Sequence, residues 1–173
     1  MKNILLALCL VISANIFAQN STQNQFSLNL ITPSAEYELS IGDRSSLDFV
    51  VGIGFAYRRI FDESGYAIFP SFMAQYRYYY NFAKRLEKGK NVANNSGNYL
   101  TAVAIVSGGD ALIGDLYSEN GTSGVVGPAW GLQRVYGKHF KLNLDLGLGY
   151  GFNNADSYLA PIIVFQLGWK LGK

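Results

Sequence analysis

The stretch Lys141-Leu-Asn-Leu-Asp-Leu-Gly-Leu-Gly-Tyr-Gly-Phe152 decides the fold of this chain. Every even position in it is large and apolar, and every odd position is charged, polar or glycine. Because successive side chains of a β-strand point to opposite faces, this alternation predicts a strand with one apolar face and one polar face. The same pattern recurs along the chain, so the sequence predicts an all-β protein.

Seven further stretches alternate in the same way, with turn residues between them. Together with the first stretch they predict about eight strands. Long polar connections are predicted at residues 84–98 and 108–124, and shorter loops at residues 62–66 and 153–158. In chain order, the predicted strands cover residues 26–30, 35–41, 47–58, 68–80, 99–106, 126–136, 141–152 and 161–171.

The first eighteen residues predict export from the cytoplasm. Lys2 provides a positive start, residues 4–11 are apolar, and the small residue Ala18 precedes a polar stretch. The apolar run is shorter than the roughly 20 residues that a membrane-spanning helix requires. We therefore expect a signal peptide over residues 1–18, cleaved after Ala18, and a single domain over residues 19–173.

The composition favours a membrane barrel over a soluble one. The chain has 12 tyrosines, and only 15% of its residues are charged. Tyrosine joins an apolar ring to a polar tip and is enriched at membrane interfaces. The polar faces of the predicted strands consist mainly of glycine, alanine and serine, whereas a soluble surface would carry more charge. We therefore expect a transmembrane antiparallel up-and-down β-barrel whose apolar faces meet lipid.

Three short pieces, spread over most of the predicted mature chain, resemble a known class of protein. They are Asn29-Leu-Ile-Thr-Pro33, Tyr76-Arg-Tyr-Tyr79, and a longer piece with Gly131-Leu-Gln133, Gly137-Lys-His-Phe140 and Leu146-Gly-Leu-Gly-Tyr150. The chain resembles the small eight-stranded outer-membrane β-barrel proteins, and among them an uncharacterised barrel family of Gram-negative envelopes. The resemblance implies contact with outer-membrane lipids and with the barrel assembly machinery. It supplies no catalytic residues.

Charges of both signs are predicted to share the interior of the barrel. Buried charges persist only when they are paired and hydrogen-bonded. Eight strands leave room for side chains but not for a wide channel. We therefore expect a salt-bridged plug and no open pore. The predicted interior charges are Glu36, Glu38, Asp48 and Asp145 with Arg58, Arg77, Lys141 and Lys170.

The predicted mature chain lacks the groups that most enzymes use. Cys9, the only cysteine, lies in the predicted signal peptide, and His139 is the only histidine. We expect His139 at the surface, in the turn between the sixth and seventh strands. Gly147, Gly149 and Gly151 resemble a dinucleotide-binding loop only superficially, because they alternate within a strand and no helix follows. The sequence thus predicts no enzyme, no cofactor and no catalytic or metal site.

Two charged loops have both a functional and a structural interpretation. Asp110, Asp115 and Glu119 offer the oxygen ligands that a divalent cation prefers, but such a set is more typical of a solvated loop. The basic residues within 84–90 suit either contact with anionic lipid headgroups or a solvated turn interrupted by Glu87. The structural interpretation is favoured in both cases.

These observations together predict a structural or interaction protein of the outer membrane. Its loops at residues 62–66, 108–124 and 153–158 are expected outside the cell, where they would meet a loop ligand, and the connection at residues 84–98 is expected in the periplasm. One alternative is a lipid-modifying outer-membrane enzyme, which needs a base near the outer rim. The others are a narrow solute conduit and a lipocalin-like binder with an apolar interior. No basic face is concentrated enough to indicate nucleic acid.

Overall fold

The described part of the chain is all-β apart from one short helix. The computed structural model describes residues 21–60, 63–108, 110–114 and 121–172, apart from the side chains of residues 56–60 and 63–64. The predicted signal peptide lies outside these residues. The elements are β1 (Gln25–Asn29), β2 (Ser34–Gly42), β3 (Ser45–Ile60), β4 (Glu63–Tyr78), α1 (Phe82–Glu87), β5 (Asn98–Ser107), β6 (Ile113–Gly114), β7 (Ser123–Tyr136), β8 (Phe140–Phe152) and β9 (Ser157–Leu171).

Eight of the strands form one closed ring. From β1 to β5, and then through β7, β8 and β9, each strand pairs antiparallel with the next, and β9 pairs with β1 to close the ring. The two-residue β6 lies outside this order and pairs with β4 beyond the end of β5. The prediction of about eight antiparallel strands, paired in chain order, is therefore confirmed.

The polar faces of the strands line the interior of the ring, as the sequence predicts. Glu38, Arg77 and Asp145 point inward, and each is 0% exposed. At the intervening positions large apolar side chains point outward, and Phe72 and Ile163 are 44% and 70% exposed. A soluble protein has the reverse arrangement, because burial of apolar surface away from water is what drives its folding.

The strand connections alternate between two ends of the ring, since each strand runs opposite to its neighbours. We call the end that carries α1 the helix end and the opposite end the loop end. The helix end carries the connections at residues 43–44, 79–97 and 137–139, and the loop end is where β1, β3, β5 and β8 end and where β2, β4, β7 and β9 begin.

Two strands extend further toward the loop end than the sequence predicts. β4 begins at Glu63, and β9 begins at Ser157. The loops predicted at residues 62–66 and 153–158 are correspondingly shorter. Alternation marks a strand only where the two faces contrast in polarity, whereas the backbone ladder of a hairpin continues regardless of the side chains. The ladder between β3 and β4 continues as far as the pair Ile60 and Glu63.

The connection at residues 79–97 packs against the helix end of the ring instead of being polar throughout. Tyr79, Phe82 and Val92 are all buried, and they form a cluster with Tyr99 of β5. The rings of Tyr79 and Phe82 are stacked, with their centroids 4.8 Å apart. The sequence prediction missed this cap because its few apolar residues follow neither a helical nor a strand period.

Inward-facing glycines let β7 and β8 approach each other closely. A Cβ at Gly149 would lie 2.6 Å from the carbonyl oxygen of Val126 and 2.9 Å from the side chain of Ile162. A Cβ at Gly147 would lie 2.7 Å from the Cβ of Ala129 and would also collide with the carbonyl oxygen of Pro128. The glycines of β8 are therefore required by packing against the neighbouring strands.

We predict that Gly147→Ala lowers the free energy of unfolding by about 1–3 kcal/mol, because the new methyl group overpacks against backbone that cannot move away easily. Gly42→Ala is the matched control, since a Cβ there meets no atom within 4 Å. The urea-unfolding midpoints of the two refolded variants provide the measurement. Equal midpoints would show that β7 and β8 are further apart than described.

Candidate functional site

The interior of the ring has three layers along its axis. A network of charged and polar side chains fills the half nearest the helix end. An apolar layer follows, and a cavity of about 350 Å³ lies nearest the loop end. The apolar layer consists of Val50, Met73, Val103, Ala129 and Ile162, with Ile105, Val125 and Val164 packed against it.

Arg77 of β4 lies at the centre of the charged network. Its Nη2 is 2.9 Å from Asp48 Oδ2, and its Nη1 is 3.5 Å from Glu38 Oε2. Its Nε donates a hydrogen bond of 2.6 Å to Gln75 Oε1. The guanidinium carbon also lies 4.9 Å from the centre of the Tyr99 ring, within the range of a cation–π contact. The buried positive charge is thus balanced by carboxylates from two neighbouring strands.

Glu38 of β2 accepts hydrogen bonds from four other parts of the chain. Its Oε1 accepts from the Ser46 hydroxyl at 2.5 Å and from the Tyr79 hydroxyl at 2.7 Å. Its Oε2 accepts from Gln133 Nε2 at 3.1 Å and from the side-chain amide of Gln25. Burial raises the pKa of Tyr79 well above its usual value, so its hydroxyl stays protonated and donates. Glu38 therefore joins the cap at residues 79–97 to the wall of the ring.

Two further carboxylates complete the network. Glu36 forms an ion pair with Lys141 of β8, and its Oε2 accepts a hydrogen bond of 3.0 Å from Asn29 Nδ2. Asp145 accepts hydrogen bonds from the Tyr99 hydroxyl at 2.6 Å and from Gln75 Nε2 at 3.0 Å. Their donors come from β1, β4, β5 and β8, so the network crosses the interior instead of following one pair of strands.

The structure places seven of the eight predicted interior charges inside the ring. Each of the seven is at most 4% exposed. The side chain of Arg58 lies outside the described residues. Lys170 lies near the helix end, where its Nζ donates to the carbonyl oxygen of Gly172 at 3.2 Å. The buried charges are Glu36, Glu38, Asp48, Arg77, Lys141, Asp145 and Lys170.

The buried carboxylates of the network are already occupied by groups of the protein itself. A catalytic carboxylate must reach a substrate, whereas Glu38 and Asp145 are 0% exposed and already accept hydrogen bonds from buried protein groups. Breaking these contacts would leave charges buried without partners, which is strongly destabilising.

His139 lies in the turn between β7 and β8, where the sequence predicts it. Its ring stacks on Trp169 with centroids 5.2 Å apart, and its Nδ1 is 2.9 Å from the carbonyl oxygen of Lys170. These contacts fix the ring against the end of β9 and give it a structural role at the helix end.

The charged loops show no assembled binding site in the part of the chain that the structure describes. Asp110 is exposed, whereas Asp115 and Glu119 lie outside the described residues. No group of three or more His, Cys, Asp or Glu residues is arranged to hold a metal ion among the residues described. In the basic segment, Arg85 Nη2 donates to the carbonyl oxygen of Asn91 at 2.8 Å, which stabilises the connection itself.

Exposed aromatic side chains are present on the outer surface at both ends of the ring. At the helix end, Trp130 Nε1 donates to the Tyr80 hydroxyl at 2.8 Å, and the rings of Tyr136 and Phe140 lie 6.2 Å apart. The helix-end set comprises Tyr78, Tyr80, Trp130, Tyr136, Phe140 and Trp169, and the loop-end set comprises Phe55, Tyr66, Tyr150 and Tyr158. Between these residues the outer surface carries both aliphatic and aromatic side chains, since Leu148 is exposed there and so are Phe49, Phe72 and Phe165.

Comparison with known proteins gave no match to a protein-family model, a curated protein or a solved structure. Within the described residues, no helix has the length and apolar character needed to cross a membrane.

We predict that Arg77→Met lowers the free energy of unfolding by about 3–5 kcal/mol, because it leaves Asp48 and Glu38 buried without their cation. Lys84→Met is the control, since Lys84 is exposed in the connection at the helix end. Denaturant titrations of the refolded variants measure the effect. An unchanged midpoint for Arg77→Met would mean that its side chain faces water.

Proposed function

We propose that the chain is an outer-membrane β-barrel protein, exported with the signal peptide at residues 1–18, that plugs its own interior and presents its loop end outside the cell. The observation that carries this proposal is the polarity of the ring. Its outer surface is apolar, and its interior is charged. A membrane barrel needs this arrangement because lipid surrounds it and the enclosed side chains must satisfy one another.

The lengths of the longer strands support membrane residence. A tilted strand needs roughly 9–11 residues to cross the hydrocarbon core. β3 and β4 have 16 residues each, and β9 has 15. Exposed aromatic side chains are present at both ends of the ring, where rings anchor at the two membrane interfaces, and the surface between them is also apolar.

The layered interior supports a plugged barrel and not a conduit. The charged network and the apolar layer lie one above the other, and the cap at residues 79–97 packs over the helix end. A solute would have to displace Arg77 from its carboxylates and then pass the apolar layer. Loss of these buried ion pairs is costly, so an open pathway is disfavoured.

The two remaining alternatives have less support. A lipocalin-like binder would turn its apolar faces inward, whereas Gln75, Gln133 and Asn143 are among the most deeply buried side chains. A lipid-modifying enzyme would need a base near the outer rim, but His139 lies at the helix end. We therefore retain a structural or loop-mediated interaction role, with outer-membrane lipids and the barrel assembly machinery as partners.

We predict that Ala74→Lys costs about 2–4 kcal/mol in protein refolded into lipid vesicles, because Ala74 points outward near the middle of the ring and the lysine would enter lipid. Ala74 pairs with Phe49 on one side and Ala104 on the other. Asn154→Lys, in an exposed turn at the loop end, is the control and should be nearly neutral. Urea-unfolding midpoints give the comparison. A neutral Ala74→Lys would mean that this surface faces water, and membrane residence would be abandoned.

We predict that protease added to intact cells cleaves within residues 108–122 and spares residues 84–90, because the two connections lie at opposite ends of the ring. Mass spectrometry of the fragments locates the cuts. Permeabilised cells serve as the control and should show cleavage at both connections. Cleavage of intact cells at residues 84–90 alone would reverse the orientation.

A further inference from the structure

The wall of the ring is incomplete at the loop end. The hairpin of β1 and β2 turns back at residues 30–33, and the last pair between β2 and β3 joins Ser34 to Gly52. Beyond this level β3 pairs only with β4, and β9 before Leu167 pairs only with β8. We call the resulting gap the notch. In the part of the chain that the structure describes, no strand covers it.

The cavity at the loop end reaches through the notch to the outer surface. Its lining includes inward-facing residues, such as Gly54 and Ser107, and outward-facing residues on both sides of the notch, namely Phe55 of β3 and Ile163 of β9. Opposite faces of a strand can line one cavity only where the cavity passes around the free edge of that strand. The notch is therefore the mouth of the cavity.

The edge of β9 at the notch has features of an edge that stays open. The backbone groups of successive residues in a strand point alternately to the two neighbouring strands. Lys170 N donates to the carbonyl oxygen of His139, so the even-numbered residues of β9 bond to β8. The odd-numbered residues therefore direct their backbone groups toward the notch. Pro161 is odd-numbered, and it has no N–H to leave unpaired at this edge. Its neighbours Leu159 and Ile163 are 76% and 70% exposed. The rim is thus apolar and continuous with the outer surface.

The deeper part of the cavity suits an apolar occupant, and hydroxyl and amide side chains complete the lining at Thr32, Ser34, Ser71, Ser107 and Gln166. No charged side chain lines it among the described residues, and its floor is formed by Val50, Met73 and Ile105. Its walls carry the small residues Gly54 and Ser107, which leave the space open. The volume of about 350 Å³ falls within the range of small-molecule sites. An ionic headgroup would find no partner of opposite charge here.

We propose that the notch is a lateral entrance through which one acyl chain of a membrane lipid enters the cavity. This proposal rests on the proposed membrane residence. A free strand edge is costly inside the hydrocarbon core, where water cannot satisfy its backbone groups, and Pro161 removes one such group from the edge of β9. β9 has no β1 partner from residue 157 to residue 166, which is more than the part by which its 15 residues exceed the roughly 9–11 needed to span the membrane. The outer part of the notch therefore lies at the boundary of the leaflet on the loop-end side, and its inner part lies within that leaflet.

The test uses phosphatidylcholine vesicles that contain a lipid with a photoactivatable diazirine in its acyl chain. The protein is refolded into the vesicles, illuminated and digested, and cross-linked residues are identified by mass spectrometry. We expect cross-links on the outward-facing Phe72 and also on Met73 and Ile105 at the floor of the cavity. Gly54→Leu should reduce the interior cross-links about tenfold, equivalent to 1.4 kcal/mol of lost affinity, without changing those on Phe72.

The substitution at Gly54 suits this test because a Cβ there makes only ordinary contacts of 3.8 Å with Ser71 and Ser107. Gly42→Leu at the helix end is the matched control and should leave all cross-links unchanged. Heat-modifiable gel mobility verifies that each variant is folded, and Ser71→Leu fills the same cavity if Gly54→Leu does not fold.

Each remaining outcome overturns a specific claim. Cross-links on Phe72 without any on Met73 or Ile105 would reject acyl-chain entry and leave the membrane assignment intact. Interior cross-links that persist in folded Gly54→Leu and Ser71→Leu would reject this cavity as the route. The absence of cross-links on Phe72 as well would reject membrane residence itself.

Discussion

The buried contact of Arg77 with its carboxylates is the interaction on which the closed ring depends. Arg77 stands on β4 and contacts Glu36 and Glu38 of β2 and Asp48 of β3, so one guanidinium holds together three strands that would otherwise carry mutually repelling charges. In an outer membrane the hydrophobic effect would not drive this interior together, because the apolar face is the outer one. Paired charges and the backbone ladder must then supply the cohesion.

The need to pair buried charges also explains why the interior is divided into layers. Buried charges need partners, and in the half nearest the helix end they have ion pairs with one another and donors from the strands and from Tyr79 of the cap. Above this level the inward positions change to valine, isoleucine and methionine, which need no partners. The cavity begins where Gly54 and Ser71 replace them and the wall loses the β1–β2 hairpin.

Much of the ring could be predicted from the alternation of polar and apolar residues along the strands. The rest depends on how far each strand continues and on how the connections pack, which this alternation does not specify. The stretch from Lys141 to Phe152 predicts β8 almost to the residue. Glu38 and Arg77 alternate with large apolar residues in their strands, and this alternation places both side chains inside the ring. A polar connection is predicted over residues 84–98, but its packing is not, because Phe82 and Val92 fill the end of the ring and follow no period. The break at Thr32-Pro33 is visible in the sequence, but the notch exists only because β3 and β9 continue past it.

Small inward residues occur in two opposite packing environments in this wall, and the difference distinguishes the two ends of the ring. In β8, Gly147 and Gly149 are small because the backbone and side chains of neighbouring strands occupy the space that a Cβ would need. At Gly54 the space stays vacant, with the nearest side chains at ordinary contact distance. A vacant interior surface forgoes the packing contacts that a filled interior gains. The loop-end half therefore keeps open interior space, whereas in the helix-end half the buried charges and the cap at residues 79–97 fill the ring.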